Sequence, residues 1–167
     1  MKKILSLALA LAMIGTALTG CGSKDAATKT PAENTQQTTP VQREQTQTEK
    51  ALALINTFAT GDTDTARSLL ADGYIQHNLA YGTGADAFIG SVEYLASAEV
   101  KTTVNNIRAF EDGDKVFLQT IYNFAGAGEQ VAFDIFRFDE NGKIAEHWDV
   151  METIADQSTW QNQNGKF

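Results

Sequence analysis

The chain has 167 residues, with 13 Lys and Arg against 21 Asp and Glu, for a formal net charge of -8. That acidic balance excludes a surface built for nucleic acid or anionic lipid, because affinity for phosphates comes from clustered Lys and Arg. The single cysteine, Cys21, excludes an intramolecular disulfide, so an exported domain must fold by its core alone.

Residues 1–20 read as an export signal. Met1-Lys2-Lys3 is a cationic start, and residues 4–18 are apolar except for Ser6, Gly15 and Thr16. A run of about 15 residues is too short for a hydrocarbon core, which needs roughly 20, and suits a cleaved secretory signal. It closes on Leu18-Thr19-Gly20-Cys21, which resembles the lipobox of bacterial lipoproteins. There, small residues admit the peptidase, and the cysteine becomes both the new N-terminus and the acylated residue. The resemblance implies a lipoprotein signal peptide over 1–20, a lipid on Cys21 as membrane anchor, and a place on the extracytoplasmic side of the cell membrane. Cleavage would remove Lys2 and Lys3 and no acid, leaving 11 basic against 21 acidic side chains, a charge of -10. The lipid must then anchor without a polybasic helper.

Residues 22–48 are rich in Thr, Gln and Ala, hold both prolines (Pro31, Pro40), and have Val41 as their only large aliphatic. Such a segment cannot bury enough apolar surface to offset its ordering entropy. The predicted organisation is therefore a lipidated, disordered tether over 21–44, a folded domain over 45–157, and a mostly polar tail over 158–167 despite Trp160 and Phe167.

The folded part begins with helices. Ala51, Leu52, Leu54, Ile55, Phe58 and Ala59 recur at three- and four-residue spacing, and Gly61 supplies a stop. A second short helix, capped by Asp62, Thr63 or Asp64, carries Ala66, Leu69 and Leu70 and is predicted to end at Gly73. Tyr74-Ile75-Gln76 reads as extended, and a third helix over 85–97 runs through Phe88, Ile89, Val92 and Leu95. The period then changes to two. Strands are predicted at 100–110, 115–124, 130–138 and 143–151, separated by Asp112-Gly113, Ala125-Gly126-Ala127-Gly128 and Asn141-Gly142 turn signals. Helices followed by an antiparallel meander predict an α+β fold, a curved sheet wrapped over about three N-terminal helices.

Chemistry concentrates in the last hairpin. A two-residue Asn141-Gly142 turn places Asp134 opposite Asp149, Phe136 opposite His147 and Arg137 opposite Glu146. Asp134, Phe136, His147, Asp149 and Met151 then share one face, with Phe133, Ile135, Arg137, Glu146, Trp148 and Val150 on the other. A four-residue turn keeps this parity, whereas a three-residue turn with a bulge reverses it. Two carboxylates and an imidazole among apolar side chains suit acid/base work, since burial and a neighbouring carboxylate both raise a carboxyl pKa. The plainer alternative is hydrogen bonding on a solvated strand face. His77 and His147 are separated by 69 intervening residues and a metal would have to recruit Asp134 or Asp149, so the spacing matches no metal motif. No phosphate loop or cofactor is implied.

Tyr74-Ile75-Gln76-His77-Asn78 after two helices, together with the closing run from Asp134 through Asn141-Gly142 to His147-Trp148-Asp149-Val150, resembles the SnoaL-like branch of the nuclear transport factor 2-like superfamily. The resemblance implies an α+β cone with a pocket between sheet and helices, and pairing of two copies through the sheet. It includes polyketide cyclases, isomerases, epoxide hydrolases and binding proteins. By that resemblance Asp134 falls on an acid/base position, His147 and Asp149 on pocket-lining positions, and His77 near a general base, so all four would face one cavity. Phe136, Met151, Tyr122 and Phe88 would line it against a small apolar ligand. Two readings stand at this point: a binding module for an apolar molecule, and an enzyme acting on a small carbonyl compound through Asp134 with His77 or His147.

Overall fold

The computed structural model describes residues 43–167. The signal peptide, Cys21 and all but the last two residues of the tether lie outside the described residues. Among the described residues no helix is long and apolar enough to cross a membrane.

Helix α1 (Gln47–Thr60) starts on a capping box: Thr46 accepts from the Glu49 amide, and the Glu49 carboxylate accepts from the Thr46 amide. It stops at Gly61, whose φ of 74° is left-handed and whose Cα lies so near Ala96 that a Cβ would sit 2.8 Å from the alanine methyl. Helix α2 (Thr63–Leu69) is capped by Asp62, which accepts from the Thr65 amide. It does not run to Gly73 as its composition suggests. Leu70 is already extended and pairs with Ile144, so strand β1 (Leu70–Gln76) begins where the helix ends. Helix α3 (Ala85–Ser97) has the predicted bounds.

Strands β2 (Thr103–Asp112), β3 (Lys115–Asn123), β4 (Gln130–Phe138) and β5 (Ile144–Thr153) form the expected antiparallel meander. β1 adds a fifth strand, parallel to β5, giving the order β1-β5-β4-β3-β2. The curved sheet packs its inner face on the helices in one core. Leu54, Ile55, Phe88 and Val92 from the helices meet Val116, Leu118, Tyr122, Phe136, Phe138 and Ile144 from the sheet. Burial of each such aliphatic is worth about 1.5–3 kcal/mol.

The last hairpin reaches the predicted pairing by an unexpected route. Asp139 donates its amide to the Lys143 carbonyl and Gly142, at φ 68°, donates to the Asp139 carbonyl, so the loop holds three residues, Glu140, Asn141 and Gly142. The expectation that a three-residue turn with a bulge reverses the faces is corrected: the turn alone shifts the pairing by one residue, and the bulge shifts it back. Phe138 pairs with Ile144 but Arg137 pairs with Glu146, leaving Ala145 as an extra residue in β5. This bulge cancels the turn's offset, and Asp134 faces Asp149 while Phe136 faces His147.

The C-terminal residues, read as a tail, are tied back to the domain. Trp160 donates its indole N–H to the Ala155 carbonyl, Lys166 pairs with Glu152 at 2.5 Å, and Gln119 Nε2 donates to the Lys166 carbonyl.

Candidate functional site

A cavity of about 710 Å³ lies between the inner face of the sheet and the helices. Its wall is apolar and largely aromatic: Ile55 and Phe58 from α1, Phe88 and Leu95 from α3, then Phe124 and Met151. Phe58 packs on Phe88 at 4.9 Å between ring centroids and meets Phe124 edge-on at 5.7 Å. Tyr81 and Tyr94 line it as well and are solvent-exposed, which places them at its mouth. One end is polar, made of Tyr74 and Gln76 of β1, Tyr122 of β3, Asp134 of β4, and His147 and Asp149 of β5.

The polar end is wired as a chain. Tyr122 donates its hydroxyl to Asp134 Oδ2 at 3.0 Å, and His147 Nε2 lies 3.2 Å from Asp134 Oδ1, with the ring stacked on Phe136 at 4.4 Å. The His147 tautomer follows from Gln76. The Asn78 backbone amide can only donate, and it donates to Gln76 Oε1 at 2.9 Å, so the other end of that amide, 2.9 Å from His147 Nδ1, is the NH2 group. Nδ1 therefore accepts, Nε2 carries the hydrogen, and that hydrogen is donated to Asp134. Asp134, 3 % exposed, receives hydrogen bonds on both oxygens.

Asp149 differs. Asn78 Nδ2 donates to its Oδ1 at 2.5 Å, while Oδ2 receives no hydrogen bond among the described residues and lies 4.0 Å from His147 Nε2. Loss of water pushes the Asp149 carboxyl above its ordinary range, opposed by the hydrogen bond from Asn78 and reinforced by the Asp134 charge. Burial, helped by the Asp134 charge, raises the Tyr122 hydroxyl far above its usual range and keeps it a donor. Burial also raises Tyr74, with the charges of Asp149 and Asp134 adding to it.

Asp134, His147 and Asp149 each offer a ligand atom within 4.8 Å of the others. The nitrogen that faces both carboxylates is Nε2, and it carries the proton. The trio is thus joined by a hydrogen bond rather than arranged as a vacant donor set.

Asp134, His147 and Asp149 converge, and Phe136, Met151, Tyr122 and Phe88 all line the same cavity. His77 does not join them. Its amide donates to the His147 carbonyl, but its ring lies on the outer face, stacked on Trp148 at 4.4 Å with Nε2 2.9 Å from Glu146 Oε2. Alternation explains the correction: Tyr74 and Gln76 point inward along β1, so His77 points outward. The same alternation is the signal for the residues sequence reasoning passed over, since Tyr74, Gln76 and Asn78 share the inward parity within the motif that contains His77.

Comparison with known proteins agrees with the fold. The family model described as a SnoaL-like domain matches residues 51–147. No curated protein matches the chain. Among solved structures, an NTF2-like protein of unknown function from Cytophaga hutchinsonii has a TM-score of 0.57 at 17% identity, over 66% of this chain and 94% of that one. A candidate polyketide cyclase from Bacillus cereus has a TM-score of 0.55 at 15% identity, over 64% and 74%. An LEH-like epoxide hydrolase from M. tuberculosis has a TM-score of 0.54 at 18% identity, over 62% and 80%. At these identities the likeness is one of fold.

Proposed function

The chain belongs to the SnoaL-like family, and from that premise we propose that its cavity takes up a small, largely apolar molecule on the extracytoplasmic side of a membrane to which Cys21 is anchored by lipid. The cavity supports the first half. Its roughly 710 Å³ falls in the usual range for ligand pockets, and an apolar wall with one ordered polar end binds a body by burial and orients it by hydrogen bonds. Native mass spectrometry of the full chain, extracted gently from its own membranes, should show a bound small molecule. A Ser91→Phe variant, which places a ring in the cavity from α3, should show none; a bare wild-type protein contradicts the reading. The lipobox-like Leu18-Thr19-Gly20-Cys21 supports the second half. Cys21→Ser should release a folded domain or leave its precursor unprocessed, and a processed form still held at the membrane contradicts the anchor.

Acid/base catalysis on a small carbonyl compound is the second reading, favoured by Asp149, whose buried carboxyl is held above its ordinary range beside the Tyr122–Asp134–His147 chain. His77 has no part in it. Exchange of the α-hydrogens of a ketone probe with solvent deuterium, abolished in Asp134→Asn and Asp149→Asn, is its expected signature; exchange that persists in both variants removes it.

Pairing of two copies through the sheet is supported by the outer face, where Phe110, Phe117, Phe133 and Val150 are exposed. Sedimentation should show a dimer that Phe133→Glu splits, and a monomeric wild type contradicts it.

A further inference from the structure

The inventory of charges and hydrogen bonds at the polar end narrows the ligand, given the reading of the cavity as a binding site. We propose that the ligand carries a protonated amine, seated on Asp149 Oδ2, with its apolar body among Phe58, Phe88 and Phe124.

Charge comes first. No Lys or Arg lines the cavity, while Asp134 and Asp149 both do. His147, the one basic side chain in the lining, accepts at Nδ1 from Gln76, so its ring brings no positive charge to offset the carboxylates. In a water-poor space an unbalanced negative charge acts far more strongly than at a surface. The cavity therefore repels a carboxylate and attracts a cation.

Hydrogen bonds point the same way. The protein's own donors at this end are committed: Tyr122 and His147 to Asp134, Asn78 to Asp149, and Gln76 to His147. The uncommitted donor is the Tyr74 hydroxyl hydrogen, since that oxygen only accepts, from Gln76 Nε2 at 3.3 Å. The uncommitted acceptor is Asp149 Oδ2, on a side chain just 6 % exposed. A carboxylate oxygen that faces the cavity with no protein donor is open to a ligand N–H, which pairs with it without displacing any bond the protein makes. A ketone could accept from the Tyr74 hydroxyl but would leave Asp149 Oδ2 unpaired and the charge unbalanced. An alcohol would satisfy Oδ2 yet leave the charge unbalanced.

The test uses four probes with one apolar body, naphthylmethylamine, naphthylmethanol, acetonaphthone and naphthoate, titrated by calorimetry into the full chain in detergent at neutral pH. The amine is expected to bind at least about tenfold tighter than the alcohol, with the ketone weaker and the carboxylate weakest. Asp149→Asn keeps an acceptor for Asn78 and removes the charge. It should erase the amine's advantage while leaving the alcohol within about threefold. Tyr74→Phe is a second variant that leaves the core shape intact. It should weaken the ketone and leave the amine unchanged. Alcohol or ketone binding as tightly as the amine overturns the inference, as does amine binding indifferent to Asp149→Asn, and in both cases the cavity remains a ligand site. If none of the four binds to folded protein, the inference and the binding reading fall together.

Discussion

The sheet carries two nearly matching sets of side chains back to back. On the inner face His147 stacks on Phe136 and bonds Asp134; on the outer face His77 stacks on Trp148 and bonds Glu146. Both stacks have centroids 4.4 Å apart, and the backbones of the two histidines are joined by a hydrogen bond. What separates them is water. The His147 side chain is 8 % exposed and the His77 side chain 37 %. Solvent screens the outer pair, so it contributes little and is replaceable, whereas each inner group depends on its neighbour for every hydrogen bond it has lost to water. The same chemistry is screened by solvent on one face and interdependent on the other.

The largest break in that comparison should be Asp134→Ala. Tyr122 and His147 would both lose their acceptor inside the core, and urea unfolding should show a loss of about 2–5 kcal/mol, from two unsatisfied neutral donors at roughly 1–3 kcal/mol each. A loss as small as that of an outer-face variant would erase the distinction between the faces. Gln76→Leu comes next. It removes the donor that fixes the His147 tautomer, at a cost of about 1–2 kcal/mol, and nitrogen-15 spectra should show Nε2–H mixed with Nδ1–H; an unchanged tautomer would mean that Gln76 does not set it.

Asp149 and Glu146, three residues apart on β5, sharpen the contrast through pH. The folded state holds the Asp149 proton more tightly than the unfolded chain does, because burial raises its pKa above the ordinary 3.8. Stability therefore falls as pH rises from below 3.8 through the folded value and levels off above it. Asp149→Asn should lack this fall and gain on the wild type across that window, as read by thermal unfolding; parallel curves contradict it. Glu146 has the opposite sign. Its hydrogen bonds from His77, then Arg137, lower its pKa below the ordinary 4.5, so its contribution is present above 4.5 and lost as pH falls through the folded value. Glu146→Gln should be the mildest change, under about 1 kcal/mol at neutral pH and nothing in acid.

Much of this was legible from residues alone. Asp62 and Gly61 are local signals for helix ends, and the two-residue period of 130–138 and 143–151 carries the inner and outer faces of the last hairpin. The pairing survived a wrong turn because the bulge at Ala145 compensates for the three-residue loop. Core demand explains why: Phe138 and Ile144 must both point inward, and so must Phe136 and His147. Pairing of β1 with β5 was not legible, since parallel pairing joins residues some seventy positions apart with no local mark. The same gap hid the face on which His77 lies. Treated as a strand rather than a motif, Tyr74-Ile75-Gln76-His77-Asn78 assigns Tyr74 and Gln76 to the cavity and Asn78 to the side of Asp149, to which it donates.

On the proposed reading, the inner set meets a ligand and the outer set does not. Long-range nitrogen-15 spectra of the two histidines, recorded with and without naphthylmethylamine at one pH, test that directly. The ring nitrogens of His147 should move on binding from an Nε2–H pattern, with those of His77 unchanged. Movement of His77 alone, or of neither in saturating probe, would contradict the account.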